Sequence, residues 1–231
     1  MLDFSRFKVL TFDCYGTLID WEAGILAALR PIFATHRIPV NEDELLARYA
    51  LHETEVEAGP YRRYREVLAE VVVRLGEDNG FAPTDKEQHS LAESMRNWQP
   101  FPDTVSALRQ LATRYSLVIL SNVDDDLFAL TQPKLAVNFA DVITAQQVDS
   151  YKPSHRNFEL ALQRIGRDKA EVLHVAQSLF HDVAPARSLG IATAWINRRK
   201  DKLGPGATPL SSAQPDATFA TLAELATATG L

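Results

Sequence analysis

Residues 7–12 (FKVLTF) form a short apolar run followed at once by Asp13, Cys14, Tyr15, Gly16 and Thr17, which reads as a buried strand ending in a turn. Similar runs recur at 116–120 (SLVIL), 141–144 (DVIT), 172–176 (VLHVA) and 192–196 (ATAWI). Helical patterns lie between them. Asp103 is placed to cap a helix carrying Val105, Leu108 and Leu111, and Ser154 to cap one through Phe158, Leu160 and Leu162 that stops near Gly166. Strands alternating with helices predict an α/β fold, a doubly wound (Rossmann-like) parallel sheet with helices on both faces.

The stretch from Trp21 to about Trp98 breaks that rhythm. It carries helical patterns and no convincing strand, with Asn41 and Glu42 as one helix start and 64–75 (YREVLAEVVVRL) as another helix. It reads as an inserted helical cap domain over 20–99, with the core domain formed by 1–19 and 100–231. Pro100 and Pro102 mark the return to the core, because proline favours an extended connection. Residues 204–215 (GPGATPLSSAQP) read as a surface loop.

Composition removes several classes. The 231 residues are 46% hydrophobic and 23% charged, ordinary globular usage. With 24 Lys+Arg against 30 Asp+Glu the net charge is -6, and no basic block is available to neutralise phosphates, so no nucleic-acid partner is expected. No apolar run approaches a membrane span of about 18 residues, and the N-terminus lacks the form of a signal peptide. The single cysteine, Cys14, allows no intrachain disulfide, which fits a cytoplasmic location. Cys14 itself is expected to pack away from its neighbour Asp13.

Chemistry collects at the predicted strand ends, where open parallel sheets bind ligands. Asp13 follows the first strand and is either a nucleophile that forms an ester or an ordinary turn aspartate. Ser121 and Asn122 follow the second strand, Lys152 stands beyond the third, and Ser178, His181 and Asp182 follow the fourth. Helix capping explains one such cluster more easily than four in order.

These segments, FDCYGTL, LSN, YKP and HVAQSLFHD, resemble the four motifs of the haloacid dehalogenase superfamily, and the insert matches the cap position of its 2-haloacid dehalogenase subclass. Two positions depart from the superfamily's phosphatases. Tyr15 stands where they carry a second aspartate as acid/base, and Gln177 where they carry a magnesium-supporting aspartate. The resemblance therefore implies chemistry at carbon with no metal and no cofactor. A small 2-substituted carboxylic acid, a 2-haloacid first, is the implied substrate. Asp13 attacks C2 and expels halide, and water then hydrolyses the aspartyl ester. Lys152 holds Asp13, Asp182 pairs with Lys152 and positions water, and Thr17 and Ser121 bind substrate or orient Asp13. Tyr15, Asn122, Ser178, His181, Arg48 and Trp21 are the implied substrate-binding residues, Arg48 as the cap's halide ligand. Tyr49, Tyr61, Tyr64 and Trp98 are further candidates for the cap side of the pocket. The sequence is also similar to a branch that includes an azetidine-2-carboxylate hydrolase, in which a ring nitrogen leaves. His52, Glu53, Glu55 and His181 are the candidates to serve that nitrogen. Members of this subclass are often dimers, so a homodimer is an implied assembly. The competing readings are a magnesium-dependent phosphatase with a degraded motif and a binding protein that has lost turnover.

Overall fold

The structure, a computed structural model, describes residues 2–202 and 204–231, so Met1 of the N-terminal stretch lies outside the described residues. Six parallel strands form one sheet: β1 Val9–Phe12, β2 Ser116–Ser121, β3 Asp141–Thr144, β4 Val172–Ala176, β5 Ala192–Ile196 and β6 Ala217–Phe219, in the order β3-β2-β1-β4-β5-β6. All four residues of β1 are buried, as an apolar strand at the centre of a covered sheet must be. Phe12 pairs with Ile119 of β2 on one side and Val175 of β4 on the other. The strand order reverses between β1 and β4, and a crevice opens beyond the carboxyl ends at such a switch point. Asp13, the next residue after β1, donates its backbone N–H to Val175 O and so stands at the mouth of that crevice.

β6 has no counterpart in the sequence reading. It is three residues long, lies at the sheet edge and is only partly buried, so it carries too little apolar signal to stand out.

The helices are α1 Trp21–Thr35, α2 Glu42–Glu57, α3 Tyr64–Asp78, α4 Asp85–Gln88, α5 Ser90–Ser94, α6 Thr104–Leu111, α7 Asp125–Leu135, α8 Ala145–Val148, α9 His155–Ile165, α10 Ala184–Ser188 and α11 Leu222–Ala228. The first six fall between β1 and β2, the first five of them within 20–99. The expected caps are present for α2 (Asn41 accepts from Glu44 N) and α9 (Ser154 accepts from Arg156 N, with Gly166 at φ +65° ending the helix). Asp103 departs from expectation. It precedes α6 without capping it, pairs instead with Arg198, and accepts from the backbone N–H groups of Leu222 and Ala223 at the start of α11. A carboxylate serves a distant helix start as well as its own when tertiary packing brings that start closer.

The two connections to the inserted helices run side by side. Asp20 N donates to Gln99 O (2.9 Å), Phe101 N donates to Leu18 O (3.0 Å), and Ile19 bridges Pro100. Asp124, fully buried at the head of α7, accepts from the backbone N–H groups of Tyr64 (2.9 Å) and Arg65 (3.1 Å), the first turn of α3. The inserted helices are thereby tied to the sheet on the side that carries the crevice. Within them, Gly24 of α1 lies under the Trp98 indole, where a Cβ would meet ring atoms at 2.5 Å. Trp98 in turn packs edge-on against Tyr15. Gly24→Ala is therefore expected to push Trp98 off its seat and to destabilise the protein by about 1–3 kcal/mol through overpacking, read as a lower urea midpoint. An unchanged midpoint would show that the indole moves without penalty.

Candidate active site

Beyond the ends of β1, β2 and β4 one hydrogen-bonded chain of side chains crosses the crevice. Lys152 Nζ donates to Asp13 Oδ1 (2.9 Å), Asp182 Oδ1 (2.6 Å) and Leu120 O (2.9 Å). Thr17 Oγ1 donates to Asp13 Oδ2 (2.6 Å) and accepts from Gln177 N (2.8 Å). His174 Nε2 meets Asp182 Oδ1 (2.9 Å) and its Nδ1 meets Thr11 Oγ1 (2.8 Å). Each position follows from local folding. Gly16 adopts φ +92°, which lets the chain turn back so that Thr17 faces Asp13. Asn122 fixes the Lys152 segment by accepting from Lys152 N (2.8 Å) and donating to Lys152 O (3.0 Å). After β4 the wide π-helical turn Leu179–Val183, begun by Ser178, carries His181 and Asp182 into the crevice.

The ammonium of Lys152 is almost wholly buried between two carboxylates. Burial alone would lower its pKa, but Asp13 and Asp182 outweigh it and hold it above the ordinary lysine value. Burial would likewise raise Asp182, yet Lys152 and His174 bring it down to about 2. Asp13 is pushed upward by burial, against the pull of Lys152 and the Thr17 hydroxyl. A donor on each of its two oxygens suits an ionised carboxylate, since a carboxylic acid would need one of those oxygens to donate. Burial moves His181 down to about 4, so its imidazole is neutral near pH 7. Ser178 Oγ accepts from His181 N (2.9 Å) and is free to donate to His181 Nδ1 (3.2 Å), an arrangement that leaves Nε2–H as the imidazole's open donor.

Around this chain lies a cavity of about 30 Å³, room for one or two waters. Asp13, Tyr15, Trp21, Ser121, Asn122, Lys152, Ser178, His181 and Asp182 line it, together with Glu53, Glu57, Tyr64, Gln177 and Thr208. Three buried polar atoms of the lining, Ser121 Oγ, His181 Nε2 and Asp182 Oδ2, have no hydrogen-bond partner. A second cavity of about 340 Å³ adjoins it, sharing Glu57, Lys152 and His181 and adding Tyr61, Tyr151 and Phe180.

Most of the residues singled out from sequence are thus gathered in one place; Thr17 joins through its bond to Asp13. Arg48 is the correction. Its side chain is 52% exposed and lies 3.8 Å from Asp78, outside the cavity. On α2 Glu53 and Glu57 face the cavity at four-residue spacing, with Tyr49 one turn earlier bonded to Glu53, and Arg48, one residue before that stripe, is rotated about 100° away from it. His52 also faces elsewhere, bonding Asp78 (2.8 Å), and Glu55 pairs with Arg74. Tyr61 faces the adjoining cavity and Trp98 supports Tyr15. Cys14 is buried in the core.

Several lining residues lay beyond the sequence reading. Glu57 sits on a helix whose phase is set by docking, whereas Tyr64, a candidate from sequence, does line the cavity. Thr208 falls in the segment expected to be a surface loop, but 206–208 are buried there, and Thr208 meets Gln177 Oε1 (3.1 Å). His174 was read only as part of a strand; a polar residue inside a strand buried throughout was the available signal.

The donor set does not suit magnesium. Tyr15 OH is bonded to Thr131 Oγ1 (2.9 Å), Gln177 offers no carboxylate, and Lys152 occupies the space between Asp13 and Asp182. Among the described residues no group of three His, Cys, Asp or Glu side chains could hold a metal ion.

Fold and site together place a buried carboxylate, held by Lys152 and Thr17, at the switch point of a parallel sheet. The model of the haloacid dehalogenase-like hydrolases matches residues 7–190, and the chain belongs to that family. It is 25% identical over 219 residues to an (S)-2-haloacid dehalogenase of Pseudomonas fluorescens, covering 93% of this chain and 92% of the relative. It is 26% identical over 208 residues to the putative HAD-hydrolase YfnB of Bacillus subtilis, covering 84% and 85%. The L-2-haloacid dehalogenase of Xanthobacter autotrophicus shares the fold, with a TM-score of 0.80 over 96% of this chain and 97% of that one at 22% identity. No helix among the described residues is long and apolar enough to cross a membrane.

Proposed function

We propose that this protein hydrolyses a small 2-substituted carboxylic acid at C2 through an ester on Asp13, without a metal, with a 2-haloacid as the first substrate. The observation that carries this reading is the clamp on Asp13. Lys152 and Thr17 fix its two oxygens at the edge of a cavity, and the neighbouring Tyr15 hydroxyl is turned to Thr131 rather than presented as an acid. Asp13 attacks C2 in line, and halide departs with the bonding pair and needs no proton. Asp182, whose free Oδ2 lines the same cavity, receives the water that attacks the ester carbonyl and restores Asp13. Ser121 Oγ and His181 Nε2–H are the open donors for the substrate carboxylate. The relatives named (S)-2-haloacid dehalogenases support the halide.

The test is chloride release from (S)-2-chloropropionate in the presence of EDTA. Turnover is expected to be unaffected by the chelator, and a single turnover in heavy-oxygen water is expected to place the heavy oxygen in Asp13, read by peptide mass. Turnover that EDTA abolishes and magnesium restores would overturn the reading.

A second leaving group is favoured by one observation. Where a cap arginine was expected for halide, the α2 face presents Glu53 and Glu57. A ring nitrogen, as in azetidine-2-carboxylate, suits carboxyl groups better than halide does.

A further inference from the structure

The cavity holds four carboxyl groups, Asp13, Asp182, Glu53 and Glu57, against one lysine among the described residues that line it. Lys152 is committed to Asp13 and Asp182. Neither Glu53 nor Glu57 has an ion-pair partner among the described residues; Glu57 has only Asn122 Nδ2 at 3.2 Å. Acidic side chains alone make no site. Here, however, the same cavity also holds Ser121 Oγ and Asp182 Oδ2, both on residues at most 2% exposed and both without a partner. Buried polar atoms left open in this way await a ligand.

The geometry at Glu53 is specific. The hydroxyls of Tyr49 (2.7 Å) and Tyr64 (2.6 Å) both donate to Oε1 and lie 3.2 Å from each other. Oε1 is thereby saturated as a carbonyl-type acceptor, and Oε2 is left for the cavity. A carboxylic acid with its proton on Oε2 fits this arrangement.

We propose that Glu53 carries the proton of the leaving group, so that the site also serves a substituent that departs as a neutral base, a strained ring nitrogen on C2. This rests on the ring-opening reading above. Asp13 Oδ forms a bond to C2 and the C2–N bond breaks, its electron pair going to nitrogen. The one proton shared by Glu53 and that nitrogen ends on nitrogen, which leaves as a neutral amine, and Glu53 is left ionised. Water then adds to the Asp13 ester carbonyl and the acyl C–O bond breaks. One proton of the water goes to the departing alkoxide and the other returns to Glu53. Ring strain supplies the driving force that an unstrained amine lacks. Glu57, half-buried beside it and pushed by burial well above the usual carboxylate range, adds a second carboxyl group on the same side of the cavity that can accept from the nitrogen's N–H.

Burial raises Glu53 to about 7, the tyrosine hydroxyls pulling it down and Asp13 pushing it up. The groups facing it are Tyr49 and Glu57 on α2, Tyr64 on α3, and Asp13 and Lys152 from the sheet side. An acid is needed for ring opening, so that rate should fall as pH rises through the Glu53 titration.

The test compares the wild type with the isosteric Glu53→Gln on two probes, azetidine-2-carboxylate and (S)-2-chloropropionate. In the variant, ring opening is expected to fall about 100-fold or more, the scale of a lost general acid, and to fall at least about 30-fold further than chloride release does. A wild-type pH profile supplies a second readout independent of the variant's folding: ring opening declines above about pH 7 and chloride release does not. Ring opening that survives Glu53→Gln, or a parallel fall on both probes, overturns the proton-carrying role and leaves the Asp13 reading standing. Chloride release with no ring opening by the wild type overturns the nitrogen leaving group as well. Failure of both probes to esterify Asp13, read by peptide mass, overturns this proposal together with the function it rests on.

Discussion

Replacing Lys152 with methionine is expected to abolish turnover and to destabilise the fold by about 3–5 kcal/mol at neutral pH, the scale for removing one partner from a buried ion pair. Methionine matches the length of the lysine stem and keeps the core contacts. What it removes is the ammonium that bridges Asp13 and Asp182. Two buried carboxylates are then left facing each other across the crevice with His174 and Thr17 as their remaining donors. The deficit should depend on pH with a definite sign. In the variant both carboxyl pKa values rise above their unfolded values, so stability survives below about pH 4 and is lost as pH rises through the raised values. In the wild type the lysine's raised pKa makes its contribution complete at all pH values below that of a free lysine. The gap between the two proteins is therefore expected to be narrow at pH 4.5 and wide at pH 7 in urea melts. A gap that does not change with pH would mean that lost packing, not an unpaired charge pair, is the cause.

The parts legible in the sequence are those fixed by chain-local physics. Strands β1 to β5 were readable because a strand covered on both faces is a continuous apolar run, and Asp13, Ser121 and Asp182 because each stands at or just beyond the end of such a run. Lys152 was readable through its place in the ordered set of motifs, although nothing local shows that its side chain reaches back to Asp13. The rest of the site comes from tertiary placement. Arg48, Tyr49, His52, Glu53 and Glu57 all belong to one helix, and an amphipathic pattern with mixed charge does not tell which stripe faces the crevice. The docking of α2 selects the stripe with Tyr49, Glu53 and Glu57, and that choice turns Arg48 to solvent. Thr208 was hidden for a different reason. Its segment is rich in glycine, proline and serine, the composition of an exposed loop, yet Ala207 N donates to Glu22 Oε1 and holds the segment against the site. Asp103 shows the same limit in reverse, since a cap residue can be read from sequence but the helix it serves cannot.

Asp13→Asn separates catalysis from stability at the same position. Turnover is expected to fall on the order of 10⁴-fold or more, because an amide oxygen cannot form and release the ester, and losing the nucleophile removes the whole covalent path. Stability is expected to hold or rise at pH 7. The sign follows from burial, which raises the folded pKa of Asp13 above its unfolded value. A group shifted in that direction stabilises the fold only below its unfolded pKa, and the contribution is lost as pH rises through the folded one. At pH 7 the ionised Asp13 is thus a cost to the fold that the reaction requires, and asparagine removes it. Its carbonyl oxygen can still accept from Lys152. Combined with Lys152→Met, the substitution should recover part of the loss, with a coupling of about 1–3 kcal/mol, because it removes one of the two facing charges. Urea midpoints for the wild type, both single variants and the double variant close the cycle. If Asp13→Asn alone lowers the midpoint as far as Lys152→Met does, the Asp13 carboxylate serves the fold, and the assignment of that ion pair to catalysis fails.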